Sequence, residues 1–252
     1  MKLHNEIVPV AAVSPSDRDT LFALYSRYYS GARRDQFEND MAEKDVVILL
    51  RDRSHQQVCG FSTQMILRQR FGGREVRALF SGDTIIAPSH WGDQELRRGW
   101  CRYAAAALTA EPGVPLYWFL MTKGYRTYLY LPVFFRDFFP HYDRETPREL
   151  QSLLDGFARQ KFGDAYDASS GLIRFTETHG QLVEELSGVP ERRAHDPHVK
   201  FFLQHNPGYV NGVELACITE ISHENIRPFA RHMFWEEQRS VVVESPELRP
   251  NA

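Results

Sequence analysis

Three β-rich runs follow one another at residues 45–50, 57–71 and 75–87, and they constrain the fold more than any other feature of the sequence. The polar segment RDRSHQQ separates the first run from the second, and GGR separates the second from the third. Connections this short join antiparallel strands, because a crossover between parallel strands needs a dozen residues or more. The middle of the chain therefore predicts an antiparallel sheet and excludes a doubly wound parallel sheet.

Helices and further strands are predicted on both sides of these runs. Ser16 and Asp19 resemble a capping box, Thr146 and Glu149 form another, and after Pro88 the apolar residues share one helical stripe. The predicted elements are a strand at 6–13, a helix after Ser16, helices at 34–43 and 93–110, a strand at 114–120, a helical face formed by Phe134, Phe135, Phe138 and Phe139, a helix from Thr146, two strands within 199–222 and a helix at 223–238.

The order of these elements predicts a mixed α/β (α+β) fold with a largely antiparallel central sheet flanked by helices and a C-terminal extension of helices and strands. A composition of 42% hydrophobic and 25% charged residues is typical of a globular protein. We expect residues 1–140 to form a core and residues 141–252 to complete the sheet and the acceptor side of the same compact domain.

Charge and cysteine content argue against several classes of protein. A formal net charge of -3 gives no basic field for nucleic acid. The three cysteines are too few and too widely spaced for a disulfide framework or a cysteine-based zinc site. The apolar N-terminal stretch is too short for a membrane span and lacks the basic start of a signal peptide, so we expect a soluble cytoplasmic protein. The oligomeric state stays open.

The segment SGDTIIAPSHWGDQELRRGW, residues 81–100, runs from a strand through a proline turn into a helix. A helix N-terminus offers unpaired N–H groups and a partial positive charge, which stabilise a phosphate. Arg97 and Arg98 in the first turns of the helix would add charge-assisted contacts. The segment is therefore a candidate anion site.

This arrangement resembles the GCN5-related N-acetyltransferase (GNAT) superfamily over about residues 6–140, with NPGYVNGVELACI as candidate closing strands. In that superfamily the fourth strand ends in a hydrophobic residue, any residue and a proline, and the following turn and helix bind the pyrophosphate of acyl-CoA. N-acyl amino acid synthases and acyl-homoserine lactone synthases are similar in outline. The resemblance implies donor binding by Ile86, His90, Trp91, Gly92, Arg97 and Arg98.

The sequence departs from the superfamily at the start of this helix. Gln94 and Leu96 stand where two glycines usually let the backbone approach the phosphate closely. Three alternatives follow: acyl-CoA binds in another way, the donor is an acyl carrier protein whose phosphopantetheine has one phosphate, or the fold has lost catalysis and binds a ligand or partner.

Transfer of an acyl group from a thioester to an amine needs a base, donors for the oxyanion and an acid for the leaving thiolate. The resemblance implies that Asp83, on the fourth strand, is the base, and strand alternation places it on one face with Leu79, Ser81 and Ile85. An apolar setting would raise its pKa. The alternative is a carboxylate that caps a bulge beside Gly82.

His90 is a second candidate base or a phosphate ligand, because imidazole titrates near neutrality. The resemblance implies a tyrosine acid after the fifth strand, and Tyr128 and Tyr130 fit this position. Their alternative role is packing in the core.

The loop residues His195, Asp196 and His198 are metal-ligating types without a supporting fourth group, so we predict no metal. The sequence thus predicts an N-acyltransferase that moves an acyl group from acyl-CoA, or from the phosphopantetheine of an acyl carrier protein, to a small-molecule amine by direct attack. A non-catalytic binding protein of the same fold is the alternative.

Overall fold

The computed structural model describes residues 3–175, 181–182 and 188–235. The strands are β1 (Leu3–Pro9), β2 (Tyr29–Ser30), β3 (Val46–Asp52), β4 (Val58–Phe71), β5 (Arg74–Ile86), β6 (Leu116–Thr122), β7 (Tyr166–Asp167), β8 (Leu172–Ile173), β9 (Gln181–Leu182) and β10 (Glu214–Glu220). The α-helices are α1 (Pro15–Tyr28), α2 (Arg34–Ala42), α3 (Glu95–Ala110), α4 (Tyr125–Tyr128), α5 (Tyr130–Phe134), α6 (Arg148–Phe162), α7 (Pro197–His205) and α8 (Pro228–Trp235).

Eight of the strands in these ranges form one sheet in the order β1-β3-β4-β5-β6-β10-β8-β7, and β2 pairs with β9 apart from it. Neighbouring strands of the sheet are antiparallel except β5 and β6, which run parallel. The predicted mixed, largely antiparallel sheet flanked by helices is therefore confirmed. Strand β10 extends the sheet beyond β6, so the C-terminal part of the chain contributes to the central sheet.

Helices cover both faces of the sheet. On one face α3, α7 and α8 enclose a core that contains Leu79, Trp100 and Trp118. On the other face α6 packs over a second core around Phe80, while α1 and α2 pack over a third around Ile85. Residues of the single strand β5 thus contribute to all three cores.

Several predicted boundaries are wrong for identifiable reasons. The strand predicted at 6–13 ends at Pro9, where a 3₁₀ turn begins. Helix α1 is capped by Ser14, whose Oγ accepts from the Asp17 N–H at 3.1 Å, rather than by Ser16. Helix α6 has no side-chain cap, since the position before its first residue is Pro147 and not the predicted Thr146.

The two strands predicted within 199–222 are a helix followed by one strand. Asp196 caps α7 by accepting from the His198 N–H at 2.9 Å, and Pro197 occupies the first helical position. An aspartate N-cap followed by a proline is an ordinary helix start, but the aromatic residues that come after it in the chain favoured a strand. The final helix begins at Pro228 rather than at 223, and its predicted end at 236–238 lies outside the described residues.

The four phenylalanines predicted to form one helical face are buried, but they do not share a helix. Helix α5 ends at Phe134, and the backbones of Phe135 and Phe139 form isolated β-bridges with Ile226 and Ile218. These bridges hold the segment in an extended form beside β10. All four rings are core residues, and Phe134 alone of the four also lines the cavity described below.

Candidate active site

The parallel strands β5 and β6 separate in the middle of the sheet. Their pairing runs from Arg77 opposite Leu116 to Ser81 opposite Leu120, and then stops, although β5 continues to Ile86. A cavity of about 720 Å³ lies at this split and is lined by the ends of both strands. Beyond Ser81 the backbone of β5 pairs with β4 only, and this stretch of β5 forms one wall of the site.

A β-bulge on β5 lies next to the split. Ser62 pairs with Thr84 and Gln64 pairs with Ser81, so Gly82 and Asp83 together stand opposite one residue of β4. A bulge leaves the extra residue out of the hydrogen-bond ladder and re-aims the side chains that follow.

The bulge overturns the prediction that Asp83 shares a face with Leu79, Ser81 and Ile85. Leu79 packs in the core under α3, whereas Ile85 packs in the core under α1 and α2 on the opposite face. Strict alternation would have placed Leu79 and Ile85 on the same face. Alternation fails because β5 contains one residue more than β4 between the flanking pairs.

A chain of buried polar side chains fixes the point where the strands separate. The indole N–H groups of Trp100 and Trp118 both donate to Ser81 Oγ at 3.1 Å. Ser81 Oγ in turn donates to Gln64 Oε1 at 2.7 Å, and Gln64 Nε2 donates to Ser62 Oγ at 2.7 Å. The chain ties α3, β4, β5 and β6 together, and sequence reasoning missed it because strand polar residues carry no partner information.

Gly82 is required by close packing against the bulge. A Cβ at this position would lie 2.5 Å from Thr63 Oγ1 and 2.9 Å from Lys44 Cε. The missing side chain therefore lets the buried Lys44 stem pass directly beside the strand.

The Asp83 carboxyl lines the cavity and has an unusual acidity. Burial, helped by the negative charge of Asp40, raises its pKa to about 7, and the ammonium groups of Lys123 and Lys44 only partly oppose this, while Glu214 adds to it. Among the described residues no group donates a hydrogen bond to this carboxyl. The carboxylate is thus free to accept a proton near neutral pH, as a base requires.

Three ion pairs line the same part of the cavity. With Asp83 ionised, the region contains one more carboxylate than ammonium group, which favours a cationic or amine ligand over an anion. The ion pairs are Lys44 with Asp40 at 2.8 Å, Lys123 with Glu214 at 3.2 Å, and Lys161 with Glu43.

The end of β5 and the turn after it contribute three of the predicted donor-binding residues to the cavity. Ile86, Trp91 and Gly92 line it, and Gly92 has a φ of +93° that glycine adopts without strain. The carbonyl oxygen of Ile86 already accepts from the Tyr28 hydroxyl at 2.7 Å and from Trp91 Nε1 at 2.9 Å. His90 lies in the same turn but is not among the residues that line the cavity.

The start of α3 already holds a carboxylate. Asp93 Oδ1 accepts from the Glu95 N–H at 2.7 Å, and Leu96 is buried with an exposure of 5%. Arg97 lines the cavity, whereas Arg98 points elsewhere and pairs with Glu95 at 2.7 Å. A phosphate at this helix start would meet the charge of Asp93 and compete with it for the amides.

Of the three tyrosines that follow β6, Tyr125 and Tyr130 line the cavity. Tyr128 does not, because its ring is fully buried and its hydroxyl donates to the Pro140 carbonyl at 2.8 Å. Burial also raises the pKa of Tyr128 far above its usual range. The structure thus separates Tyr130 from Tyr128, which the sequence did not.

No group of three metal-ligating side chains occurs in the described part of the chain. Asp196 caps α7, and His198 packs against the ring of His141. None of the helices in residues 3–175, 181–182 and 188–235 is long and apolar enough to span a bilayer.

No family model matches this chain, and no curated protein matches it. Three solved structures illustrate its similarities, each with a TM-score of 0.40. A conserved Enterococcus faecalis protein of unknown function that carries the name "Probable N-Acyltransferase" is 12% identical, over 53% of this chain and 33% of its own length. A Trypanosoma brucei acetyltransferase is 16% identical over 58% of this chain and 98% of its own. Arabidopsis thaliana NAA60, in complex with acetyl-CoA, is 15% identical over 54% and 85%.

The chain spans about a third of the length of the Enterococcus faecalis protein. At identities and TM-scores of this size, the activity has to be inferred from the residues of this chain.

Proposed function

We propose that this protein is an acyltransferase of the GNAT type that moves an acyl group from a phosphopantetheine thioester to an amine by direct attack. The observation that carries the proposal is the position of Asp83. Its carboxyl, with a pKa raised to about 7, stands at a bulge where two parallel strands separate around a cavity. The split accommodates an extended thioester arm beside the free edge of β5, and the base lies at its end.

In the reaction, the amine nitrogen attacks the thioester carbonyl carbon and forms the new C–N bond. The Asp83 carboxylate takes one proton from the attacking nitrogen. The tetrahedral intermediate then collapses, the C–S bond breaks with its electron pair on sulfur, and a tyrosine hydroxyl protonates the thiolate. Tyr130 and Tyr125 both line the cavity and are the candidate acids.

The charges around Asp83 support the binding of an amine acceptor in this part of the cavity. Four carboxylates and three lysines line this part of the cavity, so an alkylammonium ion is stabilised there, and it releases one proton to solvent before the neutral amine attacks. We infer that the acceptor is a small amine that enters beside these ion pairs. Attack by the amine is direct because the described cysteines are buried and none lines the cavity.

The test is thiol release by the purified full chain with acetyl-CoA, a long-chain acyl-CoA and an acyl carrier protein thioester, each against a panel of primary amines. We expect amine-dependent turnover whose rate rises with pH through about 7, because the active form of Asp83 is the carboxylate. Asp83→Asn should abolish the rise. Asp19→Asn is the matched control, since the Asp19 side chain is 73% exposed on α1.

If a thioester binds but no amine supports turnover, the proposed acyltransferase activity would be contradicted and a non-catalytic binding protein supported. The Asp93 carboxylate at the start of α3 is the feature that favours this second function. Failure to bind any of the donors would refute the acyltransferase and leave a non-catalytic protein that binds another ligand or partner.

A further inference from the structure

A second hollow, of about 260 Å³, opens beside the main cavity and is lined by four arginines. Arg97 and Arg126 line both spaces, and so do Tyr125 and Tyr130. Arg192 and Arg193 approach from the 3₁₀ turn Glu191–Arg193. The hollow is therefore continuous with the proposed acyl-transfer cavity and strongly positive.

The arginine charges in this hollow are poorly compensated. Within the described residues, Arg97, Arg126 and Arg192 have no carboxylate at ion-pair distance, and Arg193 has only Asp196 at 3.6 Å. Buried Arg97 Nε has no hydrogen-bond acceptor. Four guanidinium groups this close repel one another, so an anion between them would be stabilised.

Aromatic rings hold two of the guanidinium groups in place. The Arg97 guanidinium lies 6.0 Å from the ring centre of Tyr130 and 5.7 Å from that of Phe134. The Arg126 guanidinium lies 5.7 Å from the ring centre of Tyr125. Ring contacts of this kind use the face of the guanidinium and leave its N–H edge for an oxyanion, which it binds in a bidentate manner.

The N-terminus of α3 is the competing anion site, but there the Asp93 carboxylate already accepts a hydrogen bond from the Glu95 N–H. The main cavity, which Asp83 lines, shares Arg97, Arg126, Tyr125 and Tyr130 with the hollow. A linear arm with its thioester at Asp83 and its far end at these shared residues would therefore lie within the two adjoining spaces. Asp83 and Ile86 both line the main cavity and lie about 10 Å apart along β5, so the cavity is long enough for an extended ligand.

We propose that Arg97, Arg126, Arg192 and Arg193 form the phosphate site of the acyl donor, in place of the amides of α3. The proposal rests on the proposed function, because it takes the ligand to be a phosphopantetheine thioester. The shared chemistry is a phosphate ester at the end of a pantetheine arm. Its source is either the diphosphate of acyl-CoA or the single phosphodiester of a carrier protein.

The experiment measures the Kd of three donors by titration calorimetry with the full chain: acetyl-CoA, S-acetyl-4′-phosphopantetheine and S-acetyl-pantetheine. The variant is Arg192→Glu/Arg193→Glu, whose side chains are exposed and whose substitution spares the core. The control is Arg70→Glu/Arg74→Glu, an equal change of charge at the exposed β4–β5 hairpin. A third variant, Arg126→Ala, removes a hollow arginine without adding negative charge.

We expect the wild type to bind both phosphorylated donors about 10-fold or more tightly than S-acetyl-pantetheine, as charge-assisted hydrogen bonds would give. In Arg192→Glu/Arg193→Glu this preference for phosphorylated donors should fall to about 2-fold or less, while the Kd of S-acetyl-pantetheine stays unchanged. The control Arg70→Glu/Arg74→Glu should keep the preference, because its charges are far from the hollow and screened by salt. Equal affinity of the wild type for acetyl-CoA and S-acetyl-4′-phosphopantetheine would identify a single-phosphate donor, and tighter binding of acetyl-CoA would identify the diphosphate.

A phosphate preference that survives in Arg192→Glu/Arg193→Glu and in Arg126→Ala would overturn the arginine site and leave the proposed function intact. Equal binding of all three donors by the wild type would likewise overturn the arginine site and leave the proposed function intact. Failure of the wild type to bind any donor would overturn the proposed function together with this inference.

Discussion

Replacing Asp83 with asparagine should remove the catalytic base and, at the same time, stabilise the folded chain. Asparagine keeps the shape of the side chain but has no charge to desolvate. The pKa of Asp83 rises from an ordinary 3.8 to about 7, so the fold disfavours the carboxylate by about 3 pH units, or about 4 kcal/mol. A base of this kind contributes about 10²- to 10⁴-fold to the rate, which is the expected loss in kcat/KM.

The stability change has a defined dependence on pH. The folded chain binds this proton more tightly than the unfolded chain, so the contribution of Asp83 to stability is fully present below about pH 4 and is lost as the pH rises through about 7. Asparagine does not titrate. The free energy of unfolding of Asp83→Asn should therefore exceed that of the wild type by about 4 kcal/mol at pH 8 and by about 2 kcal/mol at pH 5.

Urea unfolding of both proteins at pH 5 and pH 8, with Asp19→Asn as the control, measures this difference. A gain in stability that does not change between the two pH values would refute the reasoning, because it would show that Asp83 is not a desolvated carboxyl. A loss of stability at pH 8 would show that the surrounding lysines stabilise the carboxylate more than burial destabilises it.

Three further predictions concern the residues around the split strands. Tyr128→Phe should lower the free energy of unfolding by about 1 kcal/mol through its lost hydrogen bond, whereas Tyr130→Phe should leave stability unchanged and lower the rate of thiol release if Tyr130 is the acid. Gly82→Ala should cost about 1–3 kcal/mol in urea unfolding and lower turnover, because its methyl group overlaps the Lys44 stem. Arg77→Met should cost about 3–5 kcal/mol, since it leaves carbonyl acceptors buried without the guanidinium that satisfies them, and an unchanged urea midpoint would contradict this.

The architecture could be predicted because the strand signals were local. Short connections between long β-rich runs specify antiparallel hairpins, and the apolar stripe after Pro88 specifies the helix that covers them. The strand before this helix and the strand after it pair in parallel, with α3 as the crossover between them, and this pairing was not predicted. The segment at 197–205 could not be assigned so simply, because aromatic residues suit both a strand and a buried helix, and only the Asp196–Pro197 start separates the two.

The roles of the candidate site residues stay predictions, and the geometry of the site could not be read from the sequence. Asp83, Trp91 and Arg97 line the cavity. Arg98 does not, since one position along a helix turns a side chain by about 100° and here brings it to Glu95. Lysine–carboxylate pairs and the arginine hollow bring together residues from distant parts of the chain, and such juxtapositions have no local signature.

The bulge at Gly82 and Asp83 has a consequence for how this chain tolerates changes in length. Deletion of Gly82 would leave Asp83 alone between Ser81 and Thr84, so the ladder would run on without a bulge while Thr84 stayed opposite Ser62 and Ile85 opposite Phe61. Ile85 would keep its place in the core under α1 and α2, and Asp83 would take the single position opposite Thr63, on the face of Phe80 and Ile85. A change of length at the bulge therefore re-aims the carboxyl without moving the rest of the strand.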